Sequence, residues 1–223
     1  MDNPWQELVY ESGEWVLTKD REAIRRFNSK KANPEHRVHL ESLPEPFIGS
    51  PATAKVVFLG LNPGHSDKDI QEHRDHEFQN ALLKNLKHEA QEYPFYPLNP
   101  KFKDTGAGLW WTTRLKHLKR ACRLDDREFS KRVMVIEWFP YHSVRSGLPN
   151  EIVCASQKYG IRLAQELSCK DGVKIVGMKA EERWTRLVGI KNVPFLRSKQ
   201  NSTVTNRNME PGAFEEIVRV LAT

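Results

Sequence analysis

Residues Gly60-Leu61-Asn62-Pro63-Gly64-His65-Ser66 leave a short apolar run through three turn-forming residues, an arrangement that can expose backbone N–H groups and aim the Asn62 amide into a crevice. The same residues also make an ordinary turn for conformational reasons alone. Towards the other end, residues 197–208 read Arg-Ser-Lys-Gln-Asn-Ser-Thr-Val-Thr-Asn-Arg-Asn. That polar, basic, hydroxyl-rich composition suits hydrogen bonding to phosphates and equally suits a solvated loop. Between the two segments, strand alternation in Val135-Ile136-Glu137-Trp138-Phe139 sets Glu137 on one side with Val135 and Phe139.

Other chemically capable residues carry less. His73 and His76, with Asp69 and Asp75, have a spacing that can present ligands on one helical face, but such stretches are usually solvated surface. No metal and no other cofactor is expected. Cys122, Cys154 and Cys169 are odd in number and lack CxxC spacing, and they read as buried thiols. His65 follows the turn within reach of a phosphate or a sugar, whereas His142 beyond Pro140 reads equally as a satisfied loop histidine. Of Trp110 and Trp111, adjacent on a helix, one is expected in the core.

The elements that must position these residues alternate. A strand over Ala54–Leu61 is followed by a helix that opens on the Ser66/Asp69 capping pair and runs through Ile70, Phe78, Leu82 and Leu86. After an aromatic loop from Tyr93 to Gly108 come a helix over Leu109–Cys122 and a strand over Val133–Phe139. A helix over Glu151–Leu167, a strand over Val173–Met178, a helix over Glu181–Leu187, a short strand over Val193–Leu196 and a helix after Pro211 complete the pattern. Alternation of this kind predicts a largely parallel sheet covered on both faces, with ligands bound beyond the carboxyl ends of the strands. Residues 1–50 read as a helical and irregular extension holding little chemistry, in which Asp20 caps a short helix with Ile24 and Phe27 on one face. Residues 51–223 form the α/β domain.

The chain of 223 residues suits one such domain, without internal repeats. Lys and Arg outnumber Asp and Glu by 35 to 29, a net charge of +6, so a polyanion is a plausible partner. No run approaches the roughly 18 apolar residues of a membrane helix, and the N-terminus is acidic rather than signal-like, so a cytoplasmic location without membrane association is expected.

Gly60-Leu61-Asn62-Pro63-Gly64 and Asn201-Ser202-Thr203-Val204-Thr205-Asn206-Arg207 together resemble the two motifs of the uracil-DNA glycosylase superfamily. The likeness is closest to its mismatch-specific and single-strand-selective branches, with Ser202 standing where the family has proline. The resemblance implies a three-layer α/β/α sandwich around a mostly parallel four-stranded sheet. It also implies excision of a damaged, mismatched or deaminated base from DNA, by water attack on the N-glycosidic bond of a flipped nucleotide. Asn62 would position the water, and the Leu61 backbone N–H and the Asn201 side chain would contact the departing base. Gly60, Gly64 and His65 would shape the base pocket, Gly64 replacing a tyrosine that excludes the thymine methyl. As a glycine it also suits a turn that needs positive φ. Phe78 falls where the family stacks the base, or on the core face of its helix. Lys199, Ser202, Thr203 and Arg207 would meet the DNA backbone, Arg207 near the position of the family's inserted side chain. Glu137 lies near the strand end where the family reads the base with asparagine. An ionised carboxylate there only accepts, which favours a deaminated purine or an amino-bearing base over uracil, unless Glu137 is merely ion-paired. The implied partner is DNA; the oligomeric state is not read from the sequence, a monomer being the default expectation. Two other readings use the same residues: a non-catalytic nucleic-acid-binding protein of this fold, and a binder of a nucleotide or small phosphorylated ligand.

Overall fold

The computed structural model describes residues 2–223. A mixed four-stranded sheet forms the centre, in the order β3 (Phe47–Ile48), β5 (Val133–Ile136), β4 (Val56–Leu59) and β6 (Lys174–Gly177). β4 runs parallel to both β5 and β6, whereas β3 is antiparallel to β5. Every residue of β4 and β5 is buried, as their uninterrupted β-branched and apolar runs require of strands covered on both faces. Helix α7 (Ala213–Ala222) packs on β4 and on α4 (Gly106–Cys122), α5 (Asp126–Arg132) leads into β5, α6 (Gln157–Ser168) lies against β6, and α3 (His76–Leu86) lies against β3.

Several elements differ from the sequence expectation for identifiable reasons. The helix expected from Ser66 to Leu86 is two helices, α2 (Asp67–Glu72) and α3. The break falls where the Asp75 carboxylate caps α3 by accepting from the Phe78 N–H, and where His73 turns inward to accept from the Leu43 N–H at 2.9 Å. The helix expected from Glu151 starts at Gln157, because Gln157 Oε1 accepts from the N–H groups of Val153 and Cys154 and holds that stretch in a turn. Residues 183–187 form a π-helical turn. Val193–Leu196 makes only a single bridge, Gly177 to Phe195, since Pro194 has no N–H to extend a ladder. The fourth strand is β3 instead. Cys122 and Cys154 are buried, but Cys169 is exposed.

The first 50 residues are built into this sheet. A hairpin of β1 (Tyr10–Glu11) and β2 (Glu14–Trp15) leads into α1 (Thr18–Ser29). Asp20 does not cap that helix; it is buried within its first turn, accepting from the Tyr141 hydroxyl at 2.9 Å and the Ser156 N–H at 3.0 Å. The chain then runs antiparallel beside the segment that follows β5. His39 bridges His142, the Glu45 N–H donates to Pro140 O, the Glu137 N–H donates to Pro46 O, and Phe47 pairs with Ile136. A division at residue 50 therefore cuts between β3 and the rest of its own sheet, and the segment expected to hold little chemistry carries His39, Glu41 and Glu45 to the carboxyl ends of the strands. Its helix and irregular stretches are as expected; its pairing with residues about 90 positions away has no local signature.

Candidate functional site

A cavity of about 670 Å³ opens at the carboxyl ends of β4, β5 and β6. The 60–66 loop forms one wall and is tied on every side. The Gly60 N–H donates to Ile136 O, Trp184 Nε1 donates to Gly60 O at 2.8 Å, and Phe139 and Ser143 donate their N–H groups to Leu61 O and Pro63 O. Asn62 lines the cavity. Its Nδ2 donates to Pro63 O at 2.8 Å and to Ser143 Oγ at 2.9 Å. Because a carbonyl only accepts, this contact fixes which end of the amide is nitrogen, and among the described residues Oδ1 has no protein donor.

His142 locks the same loop from behind, with Nδ1 2.6 Å from Gly64 O and Nε2 2.8 Å from Leu43 O. Both partners only accept, so the ring satisfies both contacts only with a proton on each nitrogen. Gly64 itself has neither positive φ nor any atom within 4 Å of where a Cβ would stand. Its lack of a side chain therefore leaves open space at the cavity wall, and positive φ is not the reason for it. Gly60 is different, for a Cβ there would stand 2.1 Å from Glu137 Oε2.

Glu137 is partly buried as a residue, with Oε2 sealed from solvent and without a hydrogen-bond partner. Burial, and then the neighbouring Glu45 carboxylate, push its carboxyl up to about 8, against a smaller opposing effect of the Leu61 backbone N–H. Both effects run against the expectation of an ionised group and favour the protonated carboxyl. Glu45 is likewise raised by burial, partly offset by His142 and by the Tyr96 hydroxyl, which donates to Oε1 at 2.6 Å.

Phe78 takes the core-face reading, being 2% exposed and edge-on to His73, Tyr96 and Phe102, and it also forms part of the cavity lining. The His65 side chain also lines the cavity, stacked on His39 at 3.7 Å with Nε2 3.6 Å from Glu41 Oε1. Burial, then the nearby His39 and His142, lower its affinity for a proton. The His73/His76 ligand pattern does not form. His73 instead joins Glu45 and His142 in a buried group, and His39, Glu41 and His65 make a second group at the mouth. In the buried group the nitrogens of His142 already meet carbonyls and His73 Nδ1 already accepts from Leu43, so these rings act as structural ties.

The last loop reaches the cavity through Lys199 and Ser202 only. Asn201 is exposed, its Oδ1 accepting from the Thr203 N–H at 2.9 Å, and neither it nor Thr203 nor Arg207 lines the cavity. From the sequence Lys179 is expected in one of the strand-end loops and Arg114 only as charge on its helix, and Trp110 is left undecided. Trp111 enters the core, while Trp110 is 47% exposed at the rim with the Arg114 guanidinium 3.8 Å over its ring. Lys179 donates to Lys199 O, and burial and the charge of Arg114 lower its proton affinity. Among the described residues none of Arg114, Lys179 and Lys199 has an acidic partner. The adjacent Trp-Trp pair and the placement of Lys179 and Lys199 after strand ends were the signals for this basic, aromatic rim.

Comparison with known proteins returned no matching family model, no similar characterised protein and no similar solved structure. No helix among the described residues is long and apolar enough to cross a membrane.

Proposed function

We propose that the protein is a DNA glycosylase of the uracil-DNA glycosylase type, in which the sheet and its covering helices correspond to the α/β/α sandwich of that superfamily. The observation that carries this reading is the Asn62 amide, held by Pro63 O and Ser143 Oγ so that Oδ1 is left free at the cavity wall. An amide oxygen is too weak a base to ionise water. It can, however, accept a hydrogen bond from one water and hold it in line with a sugar carbon that is developing oxocarbenium character. The cavity is large enough for a flipped base, Phe78 offers an aromatic lining, and the open space at Gly64 admits bases bulkier than uracil. Trp110, Arg114, Lys179 and Lys199 give the rim an aromatic face and unpaired cations, the combination that follows a nucleic-acid backbone.

The test is a panel of fluorescent oligonucleotides carrying uracil, hypoxanthine, xanthine and mismatched bases, treated with alkali after incubation. Strand scission at one or more lesions is expected. Tight binding without scission would replace the enzyme with a nucleic-acid-binding protein, and neither binding nor scission would favour a small phosphorylated ligand.

A further inference from the structure

His39, Glu41 and His65 bring three metal-ligand side chains from two separate segments to the mouth of the cavity. His39 and Glu41 stand two positions apart where the chain bridges to His142, so both project from one side of it. His65 comes from the 60–66 loop. Its Nε2 lies 3.6 Å from Glu41 Oε1, and His39 Nδ1 lies 2.8 Å from the same oxygen. Atoms that share a tetrahedral ion at zinc bond lengths of about 2.1 Å stand roughly 3.4 Å apart, so both separations are close to those between ligands. One residue fixes both supports: the His39 N–H donates to His142 O at 2.9 Å, and the His142 ring meets Gly64 O at 2.6 Å.

The cluster does not satisfy itself. Of its ring nitrogens only His39 Nδ1 has a hydrogen bond among the described residues, since 3.6 Å is too long for one at His65 Nε2. The His65 side chain is 3% exposed, and its Nδ1 and His39 Nε2 are both sealed and unpartnered. Buried polar atoms are seldom left in this state without an ion or a water to account for them. The hydrogen bond from His39 holds the Glu41 carboxyl at about 2, and burial lowers the proton affinity of His65. Near neutral pH these two side chains therefore offer a carboxylate and an uncharged imidazole, the forms that bind metals.

We infer that His39 Nδ1, Glu41 Oε1 and His65 Nε2 form a binding site for a divalent ion of the zinc class. Two imidazoles and one carboxylate suit Zn²⁺ or Co²⁺, whereas Mg²⁺ and Ca²⁺ take oxygen ligands. Three protein ligands leave a position for water, as in open zinc sites rather than closed structural ones. Glu41, the most exposed of the three at 39%, gives the ion its way in. The two rings stack at 3.7 Å and 13° from parallel, so in that arrangement their lone pairs do not converge. His39, 27% exposed, has room to turn, and its Nδ1 proton passes to Nε2 when the ion takes Nδ1. The ligands lie at positions 39, 41 and 65, away from the His73/His76 spacing that the sequence offers as a metal pattern.

Protein dialysed against a chelator should bind one Zn²⁺ per chain in isothermal titration, and Co²⁺ in its place should give the visible bands of a four- or five-coordinate ion. His65→Ala and Glu41→Gln should each weaken zinc binding at least about tenfold, while His76→Ala, which removes an exposed histidine outside the cluster, should leave it unchanged. Zinc should also raise the Tm of the wild type and of His76→Ala by more than that of Glu41→Gln. No zinc binding, binding as tight in Glu41→Gln and His65→Ala as in the wild type, or Mg²⁺ binding as tight as Zn²⁺ would each overturn the inference, the second of these showing an adventitious ion only. Should His65→Ala fail to fold, Glu41→Gln, which keeps the side-chain shape, decides the question. No DNA enters the experiment, so its outcome is separate from that of the base-excision reading.

Discussion

The 60–66 loop and the 197–208 loop are both rich in turn formers and hydrogen-bonding side chains, yet they direct those groups in opposite ways. The first is tied outward, to β5 through Gly60, to the segment after β5 through Leu61, Pro63 and Asn62, and to Trp184. The second is tied largely inward, with outside ties to Arg114 O through the Val204 N–H, to Lys179 through Lys199 O and to Glu215 through Asn206. The Asn208 side chain accepts from the Ser198 N–H and donates to the carbonyls of Asn201 and Thr203, and Asn201 itself accepts from Thr203. A loop held by its surroundings has a fixed place relative to the cavity and can aim a catalytic amide. A loop whose polar side chains are mostly spent on its own backbone keeps its shape but has few left to offer, and only Lys199 and Ser202 reach the cavity.

The contrast is most sharply tested by two alanine substitutions. Asn62→Ala should lower single-turnover excision by at least about 10²-fold with DNA affinity near wild type, whereas Asn201→Ala should stay within about threefold, because a loss confined to the transition state falls on rate rather than binding. Equal losses in both would break the comparison.

Stability offers a second measure. Glu137 holds its proton to about pH 8 in the folded protein but releases it near the ordinary value of 4.5 when unfolded, so the folded state binds more protons between those limits. Its contribution is full below about pH 4.5 and is lost as pH rises through 8. Denaturation curves should therefore show the wild type losing on the order of a few kcal/mol relative to Glu137→Gln across that window. A difference independent of pH would mean that Glu137 is ionised in the fold.

Trp184→Phe leaves the buried Gly60 carbonyl without its donor and should cost about 1–3 kcal/mol by chemical denaturation, with a measurable loss of excision because the first loop shifts. Asn208→Ala should also destabilise, but with little effect on excision. Salt titrations of DNA binding separate the smallest effects. Lys199→Ala should reduce the slope of log K against log salt by about one ion, while Arg207→Ala, exposed and away from the cavity, should leave it nearly unchanged.

How much of this was legible in the sequence differs from residue to residue. The strands β4, β5 and β6 are short β-branched runs between turn formers, and the local pattern is enough to find them. Asn62 was found for the same reason, since its loop leaves one of those strands. β3 could not be read, because Phe47 and Ile48 stand between Pro46 and Gly49 in a segment too short for any period. The partnership of Glu45 with Tyr96 and His142 was invisible as well, for it depends on which distant segments share an edge of the sheet. The raised proton affinity of Glu137 comes from burial and from Glu45 together, and neither has a local sequence signature.

The strand order has a bearing on how the protein comes into being. β5 lies between β3 and β4, so both earlier strands must wait for a partner that follows them by more than 70 residues, and β6 comes later still. Closing such long loops before any pairing rewards them is the slow route to a sheet. During synthesis the segment that ends in β3 leaves the ribosome before residues 133–145, with which it forms its strand pairing, and until then it can pack only on α2 and α3. The cavity, whose walls draw on residues from Glu45 to Ser202, is therefore among the last features to exist. Until then the apolar strands β4 and β5 stand with unpaired edges, and the short β3 with its prolines serves as the cover that finally closes one of them.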